Sequence, residues 1–214
     1  MRVYAVVGGI AAGKTTVCRL LAGTGGVVLS ADRVGHRALD LRRVRQQLLA
    51  LFGPGIVGAD GAVDRRRLGR LVFGKPAALR ALDAVVHPEI ARLLATRLAA
   101  LRRRGVRLVF LDAALFLDFG AALEVDGVLA VVAPRRLRRE RLLGRDRLSR
   151  SEIEARLGSQ PRLAVWTRRA DVRIDTDCSR AELAARVQRA WQELRRRHRG
   201  PRGRKKRVRG ERVR

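Results

Sequence analysis

The residues best suited to chemistry lie near the start of the chain, where eight of them match the nucleotide-binding pattern G-x-x-x-x-G-K-[ST] at every fixed position. They run from Gly8 to Thr15 and follow the apolar stretch 3–7, which is typical of a buried parallel strand. Glycines at both ends of the pattern allow successive N–H groups to turn toward phosphate oxygens, and the helix predicted to begin near Lys14 adds its positive end. Lys14 can then reach the β- and γ-phosphates of a nucleotide, and Thr15 can offer its hydroxyl to Mg²⁺. The pattern predicts a phosphate-binding loop, and a purely structural glycine-rich turn is the alternative.

Two carboxylates follow predicted strands, at the edge where ligands of open α/β sheets bind. Asp32 comes just after the short strand 27–29, and Asp112 ends the apolar strand 106–111. Phosphoryl transfer needs a carboxylate that orients or deprotonates the attacking hydroxyl. Asp32 is the candidate for this base, and Asp112 is either the base or a residue that holds Mg²⁺ through water. The alternative for both is a helix cap or an ion pair at the end of a strand.

An arginine-dense helix is predicted over 135–145, opened by Pro134. Arg141 and Arg145 are four residues apart and therefore share one face of this helix. Both are candidates to contact phosphate, Arg145 more than Arg141. Because the chain contains 48 lysines and arginines, a solvent-exposed face is the alternative.

Strands and helices alternate along the chain, which predicts an α/β fold with a doubly wound parallel sheet of about five strands. His87 and Pro88 are predicted to start a long helix, with the proline in the first turn, where its missing N–H does no harm. His87 is assigned to this helix start or to a lobe that binds substrate, and not to catalysis. Further strands are predicted at 127–132 and 172–175, and helices at 14–21, 39–52, 64–73 with Asp64 as cap, 88–104, and after the capping patterns Ser149-x-x-Glu152 and Ser179-x-x-Glu182.

The net charge of +28 is concentrated toward the end of the chain. Residues 195–214 contain ten arginines, two lysines and one glutamate, so they carry +11 of it. The stretch 200–214 has no apolar periodicity and is predicted to be a disordered basic tail. Such a tail can attract polyanions without sequence preference, so a nucleic-acid-binding protein is one alternative function. Against it, aromatic residues make up only 4% of the chain and no base-stacking motif is present.

Composition also argues against several other classes of protein. No apolar stretch is long enough to cross a bilayer and no signal peptide is recognisable, so we expect a cytoplasmic protein without a membrane partner, and a monomer. The chain contains no asparagine, which excludes N-glycosylation and removes the N-K-x-D element expected of a guanine-specific GTPase. Cys18 and Cys178 have neither metal-ligand nor redox spacing and are predicted to be buried free thiols.

Taken together, the motifs resemble those of the dephospho-CoA kinase family. The resemblance covers about residues 1–194, and it is the order and spacing of the motifs that make it specific. The motifs are Gly8 to Thr15, Ala31-Asp32, Phe52-Gly53, Asp60-Gly61, Asp64-Arg65, Leu68-Gly69, Val72-Phe73, His87-Pro88, Leu111-Asp112, Arg141-Leu142, Arg145-Asp146, Gln160, Ala170-Asp171-Val172 and Ile174-Asp175.

The resemblance implies a P-loop kinase that uses ATP and Mg²⁺ to phosphorylate the ribose 3′-hydroxyl of dephospho-CoA. It implies one kinase domain over 1–199, with a helical substrate lobe at about 33–104 and a lid at about 135–170. Asp32, Lys14 and Arg145 are the expected catalytic residues. Thr15 is the expected metal ligand, and the expected substrate-binding residues are Asp32, His87 and Asp112. The expected nucleotide-binding residues are Gly8, Gly9, Ile10, Ala11, Ala12, Gly13, Lys14, Thr15, Thr16, Arg141 and Asp175.

Four positions depart from the pattern of this family. They are Val7 in place of Thr, Ser30 in place of Asp, His36 in place of Arg, and Ala114 in place of Pro. The departures leave Lys14, Thr15 and Asp32 intact, so they bear on rate and substrate fit more than on the type of reaction. A different small-molecule P-loop kinase, similar to a nucleoside monophosphate kinase, is the other alternative.

Overall fold

The first strand of the chain lies at the centre of a five-stranded parallel sheet. The computed structural model describes residues 1–72, 75–113, 124–144, 149–158 and 167–198, together with the backbone of Lys206 and Arg207. Every neighbouring pair of strands in the sheet is parallel, which confirms the predicted doubly wound α/β class. Across the sheet the order is β2 (Val27–Ser30), β3 (Leu108–Asp112), β1 (Arg2–Gly8), β5 (Gly127–Val132) and β6 (Val172–Asp175), with β4 (Glu124–Val125) outside it.

The helices connect these strands, and the capping patterns in the sequence mark where several of them begin. The Asp64 carboxylate accepts hydrogen bonds from the N–H groups of Arg66 and Arg67, at 2.9 and 3.1 Å. Ser149 and Glu152 form a reciprocal capping box, with bonds of 2.8 and 3.3 Å. The helices are α1 (Lys14–Ala22), α2 (Ala31–Asp40), α3 (Arg42–Phe52), α4 (Arg65–Val72), α5 (Pro76–Arg103), α6 (Arg135–Leu143), α7 (Arg150–Gly158) and α8 (Arg180–Arg197). None of them is long and apolar enough to cross a membrane.

Apolar layers cover both faces of the sheet, and β1 contributes to both because its side chains alternate between them. Val3, Ala5 and Val7 pack in the layer that contains the buried residues of α2 to α5. Tyr4 and Val6 pack in the opposite layer, with buried residues of α1 and α8. The strand that carries the phosphate-binding pattern is thus held from both sides.

The predicted helix start at His87 and Pro88 is wrong, because helix α5 begins earlier. It begins at Pro76, which occupies the first turn, and Pro88 lies inside it. The buried residues Val86, Ile90 and Leu94 recur every four positions across Pro88. This continuous apolar stripe keeps the segment helical although the proline cannot donate a hydrogen bond to the preceding turn.

The prediction of one helix over 39–52 is also wrong, because Leu41 is extended (φ −67°, ψ 127°) and separates α2 from α3. Helix α2 begins directly after β2, capped by Ser30, whose hydroxyl accepts a hydrogen bond from the N–H of Arg33 at 3.3 Å. Asp32 consequently lies in the first turn of a helix.

The prediction that 200–214 has no regular structure fails at two residues. The backbone of Lys206 and Arg207 pairs antiparallel with β4 as a short strand, β7 (Lys206–Arg207). Backbone pairing needs no apolar periodicity, so the sequence pattern gave no sign of it.

Candidate active site

The loop between β1 and α1 has the backbone conformation expected of a phosphate-binding loop. Gly13 precedes the first helical residue in a left-handed conformation (φ 90°), which glycine adopts without strain. Ala11 is also left-handed, with φ of 59°, and the N–H of Ala12 closes a turn on the carbonyl of Gly9 at 3.0 Å. At Gly8 a side chain would not fit, because a Cβ atom there would lie 2.8 Å from the backbone oxygen of Val131 on β5.

The start of α1 offers several N–H groups to a ligand. No side chain caps this helix, and no acidic residue lies in its first turn. Within the part of the chain that the structure describes, the N–H groups of the loop and first turn that make no hydrogen bond include those of Ala11, Gly13, Lys14 and Thr15. Unpaired N–H groups at the positive end of a helix favour an anion such as phosphate.

Lys14 and Asp112 form an ion pair at the end of β3. Both side chains are nearly buried, with 11% and 12% of their surface exposed. Beneath them on α1, burial raises the pKa of the Cys18 thiol to about 12; the carboxylate of Asp112 also raises it, and Lys14 lowers it. The positive charge of Lys14 is therefore balanced by Asp112 in this structure.

Asp32 and Thr15 lie on the surface at the same edge of the sheet. Ser30, the last residue of β2, is the register partner of Asp112 on β3, and Asp32 follows two residues later. Both Asp32 and Thr15 are exposed, and neither side chain has a partner among the described residues. Since an unpaired carboxylate is able to accept a proton, the surroundings of Asp32 fit a general base better than those of Asp112.

Arg141 contacts the protein itself. Its guanidinium donates to the carbonyl of Ala11 at 3.1 Å, and to the hydroxyl and the carbonyl of Thr176, each at 2.8 Å. One turn earlier on α6, Nε of Arg138 donates to the carbonyl of Ile10 at 2.8 Å. Burial, with Arg135 nearby, lowers the pKa of Arg138.

Three predicted site residues remain, Asp175, His87 and Arg145, and none of them has a described contact with the loop. The carboxylate of Asp175 accepts a hydrogen bond from the N–H of Asp177 at 2.8 Å and so stabilises the turn after β6. His87 lies in the middle of α5, with Nε2 at 3.2 Å from Asp83. Arg145 lies outside the described residues, as do 159–166 of the predicted lid.

Thr176 and Arg138 contact the loop although the motifs did not select them. Thr176 directly follows β6, at the same edge of the sheet as Asp32 and Asp112. The rule that ligands bind at the carboxyl ends of the strands would therefore have found it too. Arg138 lies three residues before Arg141, on the same face of α6. In a chain so rich in arginine this spacing alone carried no signal.

Comparison with known proteins agrees with the geometry of the loop. The family model for dephospho-CoA kinase matches residues 2–182. The dephospho-CoA kinase of Geobacter sulfurreducens is 39% identical to this chain over 192 residues, which cover 89% of this chain and 98% of the relative. That of Moorella thermoacetica is 37% identical, with 92% and 93% covered.

Two solved structures are similar in fold. The crystal structure of TT1252 from Thermus thermophilus matches with a TM-score of 0.76 and 36% identity, over 89% of this chain and 96% of that one. The dephospho-CoA kinase from Campylobacter jejuni matches with a TM-score of 0.58 and 26% identity, over 90% and 97%. The match of the family model over most of the chain and the identity to curated relatives show that this chain belongs to the dephospho-CoA kinase family.

Proposed function

We propose that this chain transfers the γ-phosphoryl group of ATP to the ribose 3′-hydroxyl of dephospho-CoA, giving coenzyme A and ADP. The observation that carries the proposal is the loop after β1. Its unpaired N–H groups lie beside Lys14, at the carboxyl-end edge of the sheet that also carries Asp32 and Asp112. Family membership supplies the acceptor. The loop supplies the means to hold the phosphates of the donor.

In the proposed reaction the 3′-oxygen attacks the γ-phosphorus, and the bond to the oxygen that bridges the β- and γ-phosphates breaks. Asp32 accepts the proton of the hydroxyl, because its carboxylate is exposed and has no partner among the described residues. Lys14 moves from Asp112 to the phosphates, where its charge balances that on the transferring group. Asp112 is then left without its cation.

The oxygen donors at this edge fit the Mg²⁺ ion that a kinase uses with ATP. The hydroxyl of Thr15 is exposed and unpaired within the described structure, and the carboxylate of Asp112 lies at the end of the adjacent strand. Mg²⁺ prefers such oxygen ligands and keeps several waters. When bound, it supplies neutralisation of phosphate charge. Thr15 is proposed to hold it directly and Asp112 through water.

The remaining assignments are also proposals. The lobe over 33–104, with His87 in α5, is proposed to bind dephospho-CoA, and Arg145 of the lid to contact phosphate. Asp175 and Arg141 are proposed to lie at the nucleotide site without touching the reacting atoms, because each is bonded to protein backbone. That the chain acts as a cytoplasmic monomer stays a prediction.

An acceptor panel tests the proposal. With Mg²⁺ and ATP, ADP should form rapidly with dephospho-CoA and not with AMP, CMP or shikimate. Lys14→Met is the inactive control, because it keeps the apolar stem and removes the charge. Efficient turnover of AMP and not of dephospho-CoA would instead identify a nucleoside monophosphate kinase.

We also propose that the basic tail binds polyanions, and the position of its two described residues supports this second activity. The strand β7 pairs with β4, which precedes β5 at the amino end of the sheet, opposite the phosphate loop. A cavity of about 500 Å³ at that end is lined by Arg2, Arg107 and Arg195 among others, with no acidic residue in its lining. Because binding through phosphate contacts releases counterions, affinity for single-stranded RNA should fall steeply with salt. Affinity that is independent of salt, or absent, would contradict the proposal.

A further inference from the structure

Three consecutive carbonyl groups of the phosphate loop accept hydrogen bonds from side chains of other elements. Two of the donors lie on α6 and the third directly follows β6, so the contacts join the loop to segments more than a hundred residues away. The three bonds are Arg138 Nε to the oxygen of Ile10 at 2.8 Å, Arg141 Nη1 to that of Ala11 at 3.1 Å, and Thr176 Oγ1 to that of Ala12 at 2.9 Å.

The direction of a carbonyl group determines the direction of the next N–H group, because the two lie on opposite sides of one planar peptide unit. By holding the carbonyl of Ile10, Arg138 fixes the direction of the N–H of Ala11. By holding the carbonyl of Ala12, Thr176 fixes that of Gly13. Neither of these two N–H groups has a partner within the described residues.

The peptide unit held by Arg141 has a different role. Its N–H belongs to Ala12 and closes the turn on the carbonyl of Gly9 at 3.0 Å. The three side chains therefore hold two N–H groups toward the open side of the loop and one in the turn that shapes it.

The loop needs this support because its backbone is strained. Ala11 has φ of 59°, a left-handed conformation that is unfavourable for residues other than glycine. Among the described residues it is the only one other than glycine with positive φ. Without bonds to its carbonyl groups, the segment would gain by relaxing toward negative φ, and its N–H groups would turn with it.

Thr176 is the most constrained of the three side chains. It is 1% exposed, and its hydroxyl donates to Ala12 while accepting from Arg141 at 2.8 Å. A Cβ atom added to Gly13 would lie 3.3 Å from the side chain of Thr176, so hydroxyl and loop are in close contact. Valine has the same shape but neither donates nor accepts, so it would leave both Ala12 and Arg141 without this partner.

We propose that Arg138 and Thr176 are positioning residues that aim the N–H groups of Ala11 and Gly13, respectively, at the nucleotide phosphates, and that Arg141 joins Thr176 to helix α6. The proposal rests on the nucleotide site of the proposed function and not on the identity of the acceptor. It assigns Arg141 to the back of the loop and not to the nucleotide.

The test compares Thr176→Val with Thr176→Ser in titrations of the full chain with Mg²⁺ and ATP. Loss of the hydroxyl should raise the Kd for ATP about tenfold, whereas serine should keep it within about twofold. In turnover assays the valine variant should raise KM for ATP and leave KM for dephospho-CoA unchanged. Thr24→Val is the matched control, because the Thr24 hydroxyl also donates to a backbone carbonyl, that of Leu21 at 2.7 Å, at the far end of α1.

A Thr176→Val variant that binds ATP like the parent would overturn the proposal, and so would a serine variant as weak as the valine one. If the valine variant does not fold, Arg138→Met takes its place, with the exposed Arg136→Met on the same helix as control. Only the Arg138 variant should then bind ATP more weakly, and equal binding by both would overturn the proposal. Since binding requires no acceptor, a parent chain that binds ATP but fails to make coenzyme A would refute the proposed acceptor and leave this inference standing.

Discussion

At the scale of single residues, the carboxylates of Asp32 and Asp112 have different surroundings, although both lie at the same edge of the sheet. Asp112 is 9% exposed and paired with Lys14, whereas Asp32 is exposed in the first turn of α2. The negative charge of Asp112 balances the positive charge of Lys14. The carboxylate of Asp32 has no such partner among the described residues, which supports its proposed role as the base.

Replacing Asp32 with asparagine keeps the shape of the side chain and removes the charge. We expect kcat to fall by about 10²- to 10⁴-fold, the usual range for general acid–base assistance, with little change in the Kd for ATP. Asp40→Asn, at the other end of α2, is the matched control and should keep its activity. If Asp32→Asn turned over at a near-normal rate while Asp112→Asn was inactive with unchanged Mg²⁺ dependence, the two roles would have to be exchanged.

The buried thiol of Cys18 gives a pH dependence of stability. Its pKa rises from 9.0 to about 12 on folding, chiefly through burial, so the unfolded chain loses the proton first as pH rises. The free energy of unfolding is therefore reduced between pH 9 and pH 12. We expect this group to lower it by about 1 kcal/mol between pH 8 and pH 10.

Urea unfolding of the parent chain and of Cys18→Ala at these two pH values measures that contribution. The parent should lose more stability than the variant on going to pH 10, because only the parent carries the thiol. An equal loss in both would show that the thiol ionises as readily in the folded chain as in the unfolded one.

At the scale of elements, the helices α6 and α7, which lie in the proposed lid, are joined by one carboxylate. Glu154 on α7 accepts hydrogen bonds from Arg135 and Arg139 on α6, both at 2.5 Å. The bonds to Arg139 and then Arg135 lower the pKa of Glu154 to about 2. Through Arg138 and Arg141, the same helix α6 contacts the phosphate loop. Helix α6 thus links the loop to α7.

Replacing Glu154 with glutamine should loosen α7 specifically. We expect amide hydrogen exchange in α7 to become a few-fold faster, a modest change because exposed ion pairs are weak. Glu140→Gln is the matched control, since Glu140 pairs with Arg136 within α6 only. Equal exchange in α7 of the two variants would refute this link between the helices.

The elements also show where sequence patterns were sufficient and where they were not. Local signals located the phosphate loop and the caps at Asp64 and Ser149 because the residues involved are neighbours in the chain. The predicted start of α5 was wrong because Pro76 and Pro88 both suit a first turn, and only the packing of this helix against α2, α3 and α4 decides between them. The bond from Thr176 to the loop spans 164 residues, and no local pattern encodes such a contact.

At the scale of the whole molecule, the two proposed activities lie at opposite ends of one sheet. The phosphate loop and the carboxylates lie at the carboxyl ends of β1 to β3, whereas β4 and β7 lie beside the start of β5. The α/β class followed from the alternation of elements in the sequence. The strand order, with β1 at the centre, did not, because it depends on long-range pairing.

Deletion of 200–214 should therefore separate the two activities. We expect kcat and both KM values to stay within about twofold, since Lys206 and Arg207, the described residues of the tail, pair with β4 and not with an element that carries the loop. Affinity for single-stranded RNA should fall, together with its salt dependence. Loss of kinase activity in a truncated chain that keeps its thermal stability would place the tail in the active site.

The central claim is that ATP phosphorylates the ribose 3′-hydroxyl of dephospho-CoA at the phosphate loop. The most direct measurement is phosphorus NMR of the product formed from dephospho-CoA, Mg²⁺ and ATP, with the parent chain and with Lys14→Met. We predict one new phosphomonoester signal that matches authentic coenzyme A, equimolar with ADP, for the parent and none for the variant. A product phosphorylated elsewhere, or equal product with Lys14→Met, would contradict the account.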